Sequence, residues 1–569
     1  MALPPAATIS ISQTLAMLDG PKRELAEGVA NDRYVFWLGS GISRERMPDL
    51  KSLAKRILIS LQGRIDQNDP HCRFRAALDS VIGHAAPSPE ECDTIDYSTS
   101  PDLWPAFEAL AGRLVNNYAR MLGVTVEGEE ADYLLWDVLN GAAVYSDLTI
   151  EPDAEHLCLA ALAMEGVASE MPSANWDSLV EKAVGILGGG KPIQRIAIAP
   201  GDTRAGRRRT NLYKFHGCAR SALEDPAKFR PLLVARQNQI NGWVANNPVM
   251  ANALINLIVT KPTLMLGLSA QDSNIQSLFA SAQVQMPWHF PAHPPAYAFA
   301  ENAVGGDQES LLQNVYHQEF NAGTRTAIRA DALVQAFAKP LLLALLLFVL
   351  TQKLTCLLRE GFPAIQEFDR AKLAEGLEHG RNLVADKVTA SADDVVSLIT
   401  MIGRTMTMLR EGALPTAANG LYSPLSAEPL ELMSANPNLT SGGMAEFAVA
   451  LSLVGLGLDR GLWAAEGPNT SAVDSGAFGL VGRSGAAKIF FASDHRAAIR
   501  LTTNGLLADN DDAVVVHSQF NPAPMHRSPR RPPGRTGLAP VREVSVEELL
   551  AEGTEVEDLL ERFRNKVAL

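Results

Sequence analysis

The sequence has few cysteines, and those it has are scattered. Its 569 residues contain five, and no two of them form a Cys-x-x-Cys pair; they are Cys72, Cys92, Cys158, Cys218 and Cys356. An odd, scattered set is typical of reduced thiols in a cytosol and excludes a disulfide framework. A zinc module of four cysteines is excluded as well, because such modules use paired cysteines. We therefore expect a cytoplasmic protein that binds neither zinc nor another metal.

Segments that target or anchor a protein are also lacking. The chain begins MALPPAATISISQTL, without the basic segment and apolar core of a signal peptide. The most apolar stretch, residues 340–350, is far shorter than the ~20 residues that span a bilayer, and Lys339 and Lys353 flank it. We expect no membrane association.

Positive charge is in short supply. The formal net charge is −14, which argues against nonspecific binding to nucleic acid or to an anionic membrane. Two basic segments, 204–209 and 527–535, leave a local contact with nucleic acid open, although such clusters are more often solvated loops. Hydrophobic residues make up 47% of the chain, as in ordinary globular proteins, and the length predicts two or three domains.

Short apolar runs indicate an α/β first domain. Each is too short for a helix and ends at a glycine or a polar turn, as expected of buried strands; the runs cover residues 34–38, 196–199, 212–215, 263–268 and 296–300. A glycine loop and a helical pattern over 49–65 follow the first run, which is the opening unit of a nucleotide-binding sheet. We predict a Rossmann-like parallel sheet in residues 1–330, with a helical insertion at about 66–170.

The remaining residues, 331–569, are predicted to form a helical and small α/β region for oligomer or partner contacts. Helical patterns cover 331–411 and 446–457, and a βαβ-like unit combines strands at 488–492 and 513–517 with a helix at 494–507. The helix at 332–359 is apolar on nearly every side and must be buried. We favour its burial between copies in a homo-oligomer.

The last part of the chain has two recognisable features. Residues 521–540 are rich in proline and arginine and are expected to be irregular and open to a partner. Ser545 followed by Glu548 predicts a capped C-terminal helix.

Four motifs follow predicted strands or apolar runs, where ligands bind in an open α/β sheet; they are Gly39-Ser40-Gly41-Ile42-Ser43, Ser173-Ala174-Asn175-Trp176-Asp177, Tyr213-Lys214-Phe215-His216-Gly217 and Gly267-Leu268-Ser269. Glycines let a backbone approach a pyrophosphate. An asparagine can bind a ribose hydroxyl or a water, and a histidine can act as a general base. Each motif alone also has an ordinary structural interpretation, as a tight turn, a helix cap or a buried histidine.

Taken in order, the motifs resemble those of the sirtuins, the silent-information-regulator family of NAD-dependent enzymes. The first is similar to the family's Gly-Ala-Gly-Ile-Ser loop, and Met47-Pro48-Asp49-Leu50-Lys51-Ser52 resembles the family's Ile-Pro-Asp-Phe-Arg-Ser. Asn175-Trp176-Asp177 resembles Asn-Ile-Asp, Phe215-His216-Gly217 resembles the catalytic Leu-His-Gly, and Gly267-Leu268-Ser269 resembles Gly-Thr-Ser. The resemblance covers roughly residues 30–300.

Two departures separate the sequence from deacetylating sirtuins. Their two Cys-x-x-Cys pairs, which hold a structural zinc, are missing, and the insertion after the first motif is longer. Both features are similar to the sirtuin-like NADases of bacterial anti-phage systems, in which infection or a partner protein switches on NAD+ hydrolysis. The C-terminal pattern faintly resembles proteins encoded beside a HerA-type ring ATPase, and Argonaute-associated sirtuins are the competing kinship.

The resemblance implies a role for each matching residue. Asn175 and His216 would catalyse hydrolysis of NAD+ to nicotinamide and ADP-ribose. The residues implied to bind NAD+ are Gly39, Ser40, Gly41, Ile42, Ser43, Asp49, Asp177, Gly267 and Ser269. Two alternatives stay open, a zinc-free deacylase or ADP-ribosyltransferase and a non-catalytic subunit that binds NAD+ or ADP-ribose.

Overall fold

The computed structural model describes most of the chain. The described residues are 4–283, 288–291, 295–389, 391–415, 420–466, 477–503, 507, 512–520 and 541–569. The predicted arginine-rich segment 521–540, with Arg527, Arg530, Arg531 and Arg535, lies outside them.

Seven parallel strands form the first sheet, in the order β3-β4-β2-β1-β5-β6-β7. They are β1 Val35–Leu38, β2 Glu170–Ser173, β3 Gln194–Ala197, β4 Thr210–Lys214, β5 Thr263–Leu266, β6 Tyr297–Ala300 and β7 Leu333–Val334. This confirms the predicted Rossmann-like α/β fold. The chain turns from one half of the sheet to the other between β4 and β5, so the loops after the neighbouring strands β1 and β5 flank the switch point of the sheet.

Both faces of this sheet are covered by apolar cores. Along β1, Phe36 and Leu38 belong to one core, whereas Val35 and Trp37 belong to a second core on the opposite face. Strands that are buried on both faces have continuous apolar sequences, which is why β1 and β5 are easy to predict. β2 is different: its sequence is Glu-Met-Pro-Ser, and the sequence gives no sign of a strand there.

Helices surround the sheet and fill the long connection between β1 and β2. An apolar cluster that includes Leu58, Leu78, Trp104 and Leu110 makes the inserted helices a separate layer. The α-helices up to β7 are Ile11–Asp19, Arg23–Ala30, Leu50–Gln62, Arg73–His84, Pro89–Cys92, Phe107–Val115, Tyr118–Met121, Gly141–Tyr145, Ala154–Met164, Leu179–Gly188, Ala219–Glu224, Pro226–Phe229, Gln237–Asn246, Pro248–Thr260, Ser273–Gln283, Gly306–Tyr316 and Arg325–Ala332.

The second region combines helices with a mixed five-stranded sheet in the order β12-β11-β10-β9-β8. Its strands are β8 Trp463–Ala465, β9 Phe478–Gly482, β10 Ala486–Ala492, β11 Ala513–His517 and β12 Arg542–Ser545. β10, β11 and β12 are parallel, and β8 and β9 are antiparallel to their neighbours. Its α-helices are Ala338–Gly361, Glu367–Lys387, Ala392–Glu411, Leu430–Ser434, Met444–Asp459, His495–Thr503, Val546–Ala551 and Val556–Val567.

The apolar helix Ala338–Gly361 is buried within a single chain. It contacts Ile11–Asp19 and Ala154–Met164 of the first region and Glu367–Lys387 and Met444–Asp459 of the second. This helix and the segment Ser441–Asp459 are long and apolar enough to cross a membrane, but 78% and 72% of their most apolar windows are buried, as in core helices. The composition of the apolar helix therefore gives no support to the predicted homo-oligomer.

A buried ion pair joins the two regions. Nζ of Lys353 lies 2.8 Å from a carboxylate oxygen of Glu165, and both side chains are fully buried. Glu165 also accepts hydrogen bonds from the Tyr422 hydroxyl and the Leu425 backbone, at 2.8 and 2.9 Å. Burying these two charges costs desolvation energy, which their mutual attraction and hydrogen bonds offset. Since the partners come from both regions, that compensation is lost if the regions separate.

Candidate active site

The four predicted motifs follow a single row of residues across the first sheet. Leu38 of β1 pairs with Ser173 of β2 and with Leu266 of β5, and Ser173 pairs with Lys214 of β4. Four adjacent strands thus end at the same level, and each motif begins within one residue of that row. Parallel strands bring their carboxyl ends to one edge, which is where open α/β sheets bind ligands.

The glycines of the first and fourth motifs let two loops touch through their backbones. The Gly41 N–H donates to the Gly267 carbonyl at 3.0 Å, and the Gly39 N–H donates to the Leu266 carbonyl at 3.0 Å. A Cβ on Gly39 would lie 2.3 Å from the Gly267 oxygen, and one on Gly267 would lie 2.7 Å from the Gly41 Cα. Contact between the loops therefore requires these glycines, whatever ligand binds beside them.

Two residues of the loop after β5 adopt left-handed backbone conformations. Gly267 has φ +61° and Ala270 has φ +59°, which costs an alanine about 1–2 kcal/mol. Ser269, between them, is exposed, as is Ser40 in the opposite loop. Strained backbone of this kind concentrates at ligand sites, and the two serines place hydroxyl groups at the surface of the site.

His216 is buried at the end of β4 and is held by an asparagine from the other half of the sheet. Nδ2 of Asn274 lies 2.8 Å from Nε2 of His216. An amide nitrogen can only donate, so Nε2 accepts this bond and the proton of the neutral ring sits on Nδ1. Burial lowers the pKa of His216, so the ring is neutral, the form that a general base needs.

Two amide oxygens at this edge are buried without a partner. In the described part of the chain, neither Oδ1 of Asn175 nor Oδ1 of Asn274 has a hydrogen-bond partner, although these residues are only 7% and 1% exposed. Buried polar atoms are nearly always satisfied. Oδ1 of Asn175 and Oδ1 of Asn274 could each accept a hydrogen bond from a hydroxyl or amide donor of a ligand.

Ser43 is fixed by a histidine that the sequence did not point to. The Asp153 N–H donates to Nδ1 of His156 at 3.1 Å, so Nε2 carries the proton of the neutral ring and donates to Oγ of Ser43 at 3.0 Å. All three residues are buried. Since Oγ of Ser43 accepts from His156, its own proton remains to be donated, and His156 is therefore a positioning residue for Ser43.

The two carboxylates implied to bind NAD+ both stabilise local backbone. Asp49 is the N-cap of Leu50–Gln62 and accepts from the Ser52 N–H at 2.8 Å. Asp177 is buried and accepts from the Leu179 N–H at 3.1 Å. The first is the ordinary capping role of aspartate and the second is an Asx turn before the helix Leu179–Gly188, and contact of either with NAD+ stays a prediction.

Lys214 ties the second motif to the third. Its ammonium group is fully buried, donates to the Asp177 carbonyl and lies 2.9 Å from a carboxylate oxygen of Glu181. Burial lowers the pKa of Lys214, but the charge of Glu181, its hydrogen bond to the lysine and other nearby groups together outweigh that effect, so the net shift is upward. The lysine is therefore charged, and it fixes the Asn175–Asp177 loop against the strand that carries His216.

The inserted helices contact the same edge. The Tyr118 hydroxyl donates to Asp272 at 2.7 Å, and the Tyr145 ring meets the edge of Trp176 at 5.5 Å between centroids. The Tyr145 hydroxyl also donates to the Pro48 carbonyl at 2.8 Å. The insertion thus packs on three of the four motif loops or their flanks, so a ligand at His216 would lie beneath it.

One cavity adjoins this edge and another lies apart from it. The first, of about 170 Å³, is lined by Tyr118, Gln271, Asp272 and Ser273 among others. The second, of about 430 Å³, is lined by residues from 20–27 together with Pro295 and Asp331, and no predicted site residue borders it.

Comparison with known families agrees with the geometry. Residues 170–320 match the family model of the SIR2-like domain. This part of the chain is similar to SIR2-like domains. The match begins at β2 and includes Asn175, His216 and the loop after β5, which are three of the four motifs. SIR2-like domains use NAD+, so the domain indicates an NAD-related activity. No curated protein matches the chain.

Proposed function

We propose that this protein is an NAD+ glycohydrolase, which converts NAD+ and water into nicotinamide, ADP-ribose and a proton. The observation that carries the proposal is the placement of Asn175 and His216. Asn175 lies two residues beyond Ser173, and His216 lies two residues beyond Lys214. Ser173 and Lys214 pair with each other on adjacent strands of a SIR2-like domain. Both side chains are buried. In the described part of the chain, Oδ1 of Asn175 has no hydrogen-bond partner, and neither does Oδ1 of Asn274, the residue whose amide nitrogen contacts His216.

The chemistry needs few groups. The C–N bond to nicotinamide breaks, its electron pair leaves with nicotinamide, and the ribose passes through an oxocarbenium-like state that water attacks. The enzyme must orient the ribose and the water and accept one proton from that water. The Asn175 amide can orient a ribose hydroxyl or the water, and His216 in its neutral form can accept the proton.

Asn274 is suited to control the proton acceptor. Its amide occupies Nε2 of His216, so this bond must be exchanged for one to water or to a ribose hydroxyl before Nε2 can take a proton. The released Asn274 amide would then have both its donor and its orphaned acceptor available for the ribose.

Burial of the site favours water over a larger acceptor. A deacylase or an ADP-ribosyltransferase must admit a lysine chain or a protein side chain, whereas His216 is only 3% exposed and the inserted helices contact the loops around it. A non-catalytic NAD-binding subunit would have no need for a buried neutral histidine held by Asn274. Hydrolysis is therefore the function that the site supports best.

Product analysis tests the proposal. Purified full-length protein is mixed with NAD+, and the products are separated by chromatography. We expect nicotinamide and free ADP-ribose in equal amounts, without any added acceptor. Nicotinamide that forms only with an acyl-lysine peptide or a protein acceptor would favour the deacylase or transferase, and intact NAD+ would favour the binding subunit.

We further propose, on the resemblance of the motifs to those of bacterial defence NADases, that the protein is a cytoplasmic anti-phage effector. On the same basis we propose a homo-oligomer that works with a HerA-type ring ATPase or an Argonaute-type partner. Light scattering of the full-length protein tests the oligomer, since a monomer at micromolar concentration would contradict it. Co-purification with each candidate partner, before and after replacement of Arg527, Arg530, Arg531 and Arg535 by serine, tests the partner contact.

A further inference from the structure

A second group of polar side chains gathers at the carboxyl edge of the C-terminal sheet. His517 is the last residue of β11 and pairs with Ala492 of β10 and with Ser545 of β12. Glu543 lies on β12, two residues before Ser545, and His495 begins the helix that follows β10. Three consecutive parallel strands thus bring two histidines and one glutamate together.

The ligand atoms of these residues converge. Nδ1 of His495 lies 3.2 Å from Oε2 of Glu543, and Nε2 of His517 lies 3.5 Å from the same oxygen. One ligand atom of each residue lies within 4.8 Å of the other two. Two ligands at about 2.0–2.1 Å from a tetrahedral zinc ion are separated by roughly 3.3 Å, so the observed spacing suits a single ion.

Burial and charge also fit a metal ion. The side chain of His517 is fully buried, while those of His495 and Glu543 keep 26% and 28% of their exposure. One anionic and two neutral ligands with one open side match sites that bind a divalent ion through three protein ligands and water.

We propose that His495, His517 and Glu543 form a binding site for a divalent transition-metal ion, with zinc as the best match. Nitrogen and carboxylate ligands favour zinc and its neighbours over magnesium and calcium, which prefer oxygen alone. The site lies in the second region and does not depend on the proposed NAD+ hydrolysis. It replaces the expectation of a metal-free protein, which considered only cysteine pairs.

The ion would link a helix to two strands at this edge. It would connect the N-terminus of His495–Thr503 to β11 and β12, on the same side as the hydrogen bond from Ser518 to the Ser493 carbonyl at 2.5 Å. A ligand that binds only the folded state raises the melting temperature, so zinc should stabilise the protein in proportion to its affinity for this site.

Metal titration of untagged full-length protein tests the proposal. After treatment with chelator and dialysis, zinc is titrated by calorimetry, and melting is followed with and without zinc. We expect saturable binding of one ion per chain and a higher melting temperature with zinc. Magnesium, titrated in parallel, should bind far more weakly.

Three variants test whether the bound zinc lies at this site. His495→Gln and Glu543→Gln should each weaken zinc binding more than about 10-fold, since even outer-shell changes cost 10–100-fold, and should abolish the zinc-induced rise in melting temperature. His379→Gln is the matched control, because His379 lies 3.1 Å from Asp459 in a pair that lacks a second histidine; it should bind zinc like the parent. Melting without zinc reports whether each variant folds.

Two results would overturn the site. One is a parent protein that binds no zinc saturably, which would make the three residues an ion-paired cluster only. The other is zinc binding that persists in both variants or falls equally in His379→Gln, which would place the ion elsewhere. NAD+ hydrolysis is not measured in this experiment, so neither result bears on the proposed enzyme activity.

Discussion

Both sheets of this protein bring polar side chains together at the carboxyl ends of parallel strands, but the two groups of side chains suit different ligands. At the edge of the first sheet, an asparagine amide contacts His216, which is buried, and burial lowers the pKa of the ring. At the edge of the second, one partly exposed histidine and one buried histidine meet a partly exposed glutamate. The first edge suits the hydroxyls and amide of an organic molecule, and the second suits a cation.

Burial explains why the two edges differ. Inserted helices cover the first edge, where an unpaired charge would be costly, and the buried Lys214 nearby is paired with Glu181. The second edge is more open, so a charged glutamate can persist beside two histidines. Two edges with the same topology therefore suit different ligands, because different elements cover their strand ends.

The largest effect is expected from the catalytic pair at the first edge. Asn175→Ala and His216→Ala should each reduce the rate of NAD+ hydrolysis by ~10²–10⁴-fold, because each removes a group that acts in the transition state. Steady-state release of nicotinamide measures the rate. His379→Ala, a histidine substitution far from both edges, should retain the parental rate. Full activity in a folded variant of Asn175 or His216 would remove the basis for the proposed mechanism.

The next largest effect is expected on stability, from the buried ion pair between Lys353 and Glu165 that joins the two regions. Lys353→Met leaves Glu165 buried without its cation, and the free energy of unfolding should fall by about 3–5 kcal/mol. Urea unfolding measures the change. Lys372→Met removes a cation from the surface pair with Glu557 and should cost less than about 1 kcal/mol. Equal losses in both variants would show that the buried pair has no special role.

The pH profile tests how Asn274 tunes His216. Burial lowers the pKa of His216 below its ordinary value of 6.5, and a base is active only when neutral, so activity should fall only as the pH drops below that value. Asn274→Asp places a carboxylate beside the ring and favours the charged form. The acid limb of kcat/KM should then move upward by roughly one pH unit or more.

Asn274→Ala is the control for that shift. It removes the hydrogen bond without adding charge, so its acid limb should not move upward even if its rate is lower. Identical acid limbs in the parent and in Asn274→Asp would indicate that a group other than His216 accepts the proton.

The smallest effect is expected from removing metal. Because the two edges lie in different regions and share no residue, chelation should change the rate of NAD+ hydrolysis by less than about two-fold. Activity measured before and after chelator treatment gives this value. A large loss that zinc restores would show that the two edges are coupled and that the comparison between them is too simple.

Sequence reasoning found most of the first sheet because its strands are apolar on both faces. The runs at 34–38 and 263–268 coincide closely with β1 and β5. It missed β2, where Pro172 and Glu170 break the apolar pattern, and β12, whose sequence Arg-Glu-Val-Ser has a single apolar residue. Both strands depend on their neighbours rather than on their own composition.

The site residues likewise divide into those that local sequence shows and those that depend on the rest of the fold. Asn175, His216 and the glycines stand in short local motifs, so a sequence can show them. His156 reaches Ser43 across the fold, and nothing local marks it as a partner. His495, His517 and Glu543 meet only because β10, β11 and β12 pair in parallel, and without β12 the third ligand could not be predicted.

The most direct test of the central claim is to locate bound NAD+. Hydrogen–deuterium exchange of His216→Ala, which should bind NAD+ without turning it over, is compared with and without NAD+. The account predicts slower exchange of amides in the segments 39–43, 174–177, 215–217 and 267–270, with no change at 492–495, 517–518 or 542–545. Protection confined to the second sheet, or to the cavity lined by residues 20–27, would contradict the assignment of the NAD+ site.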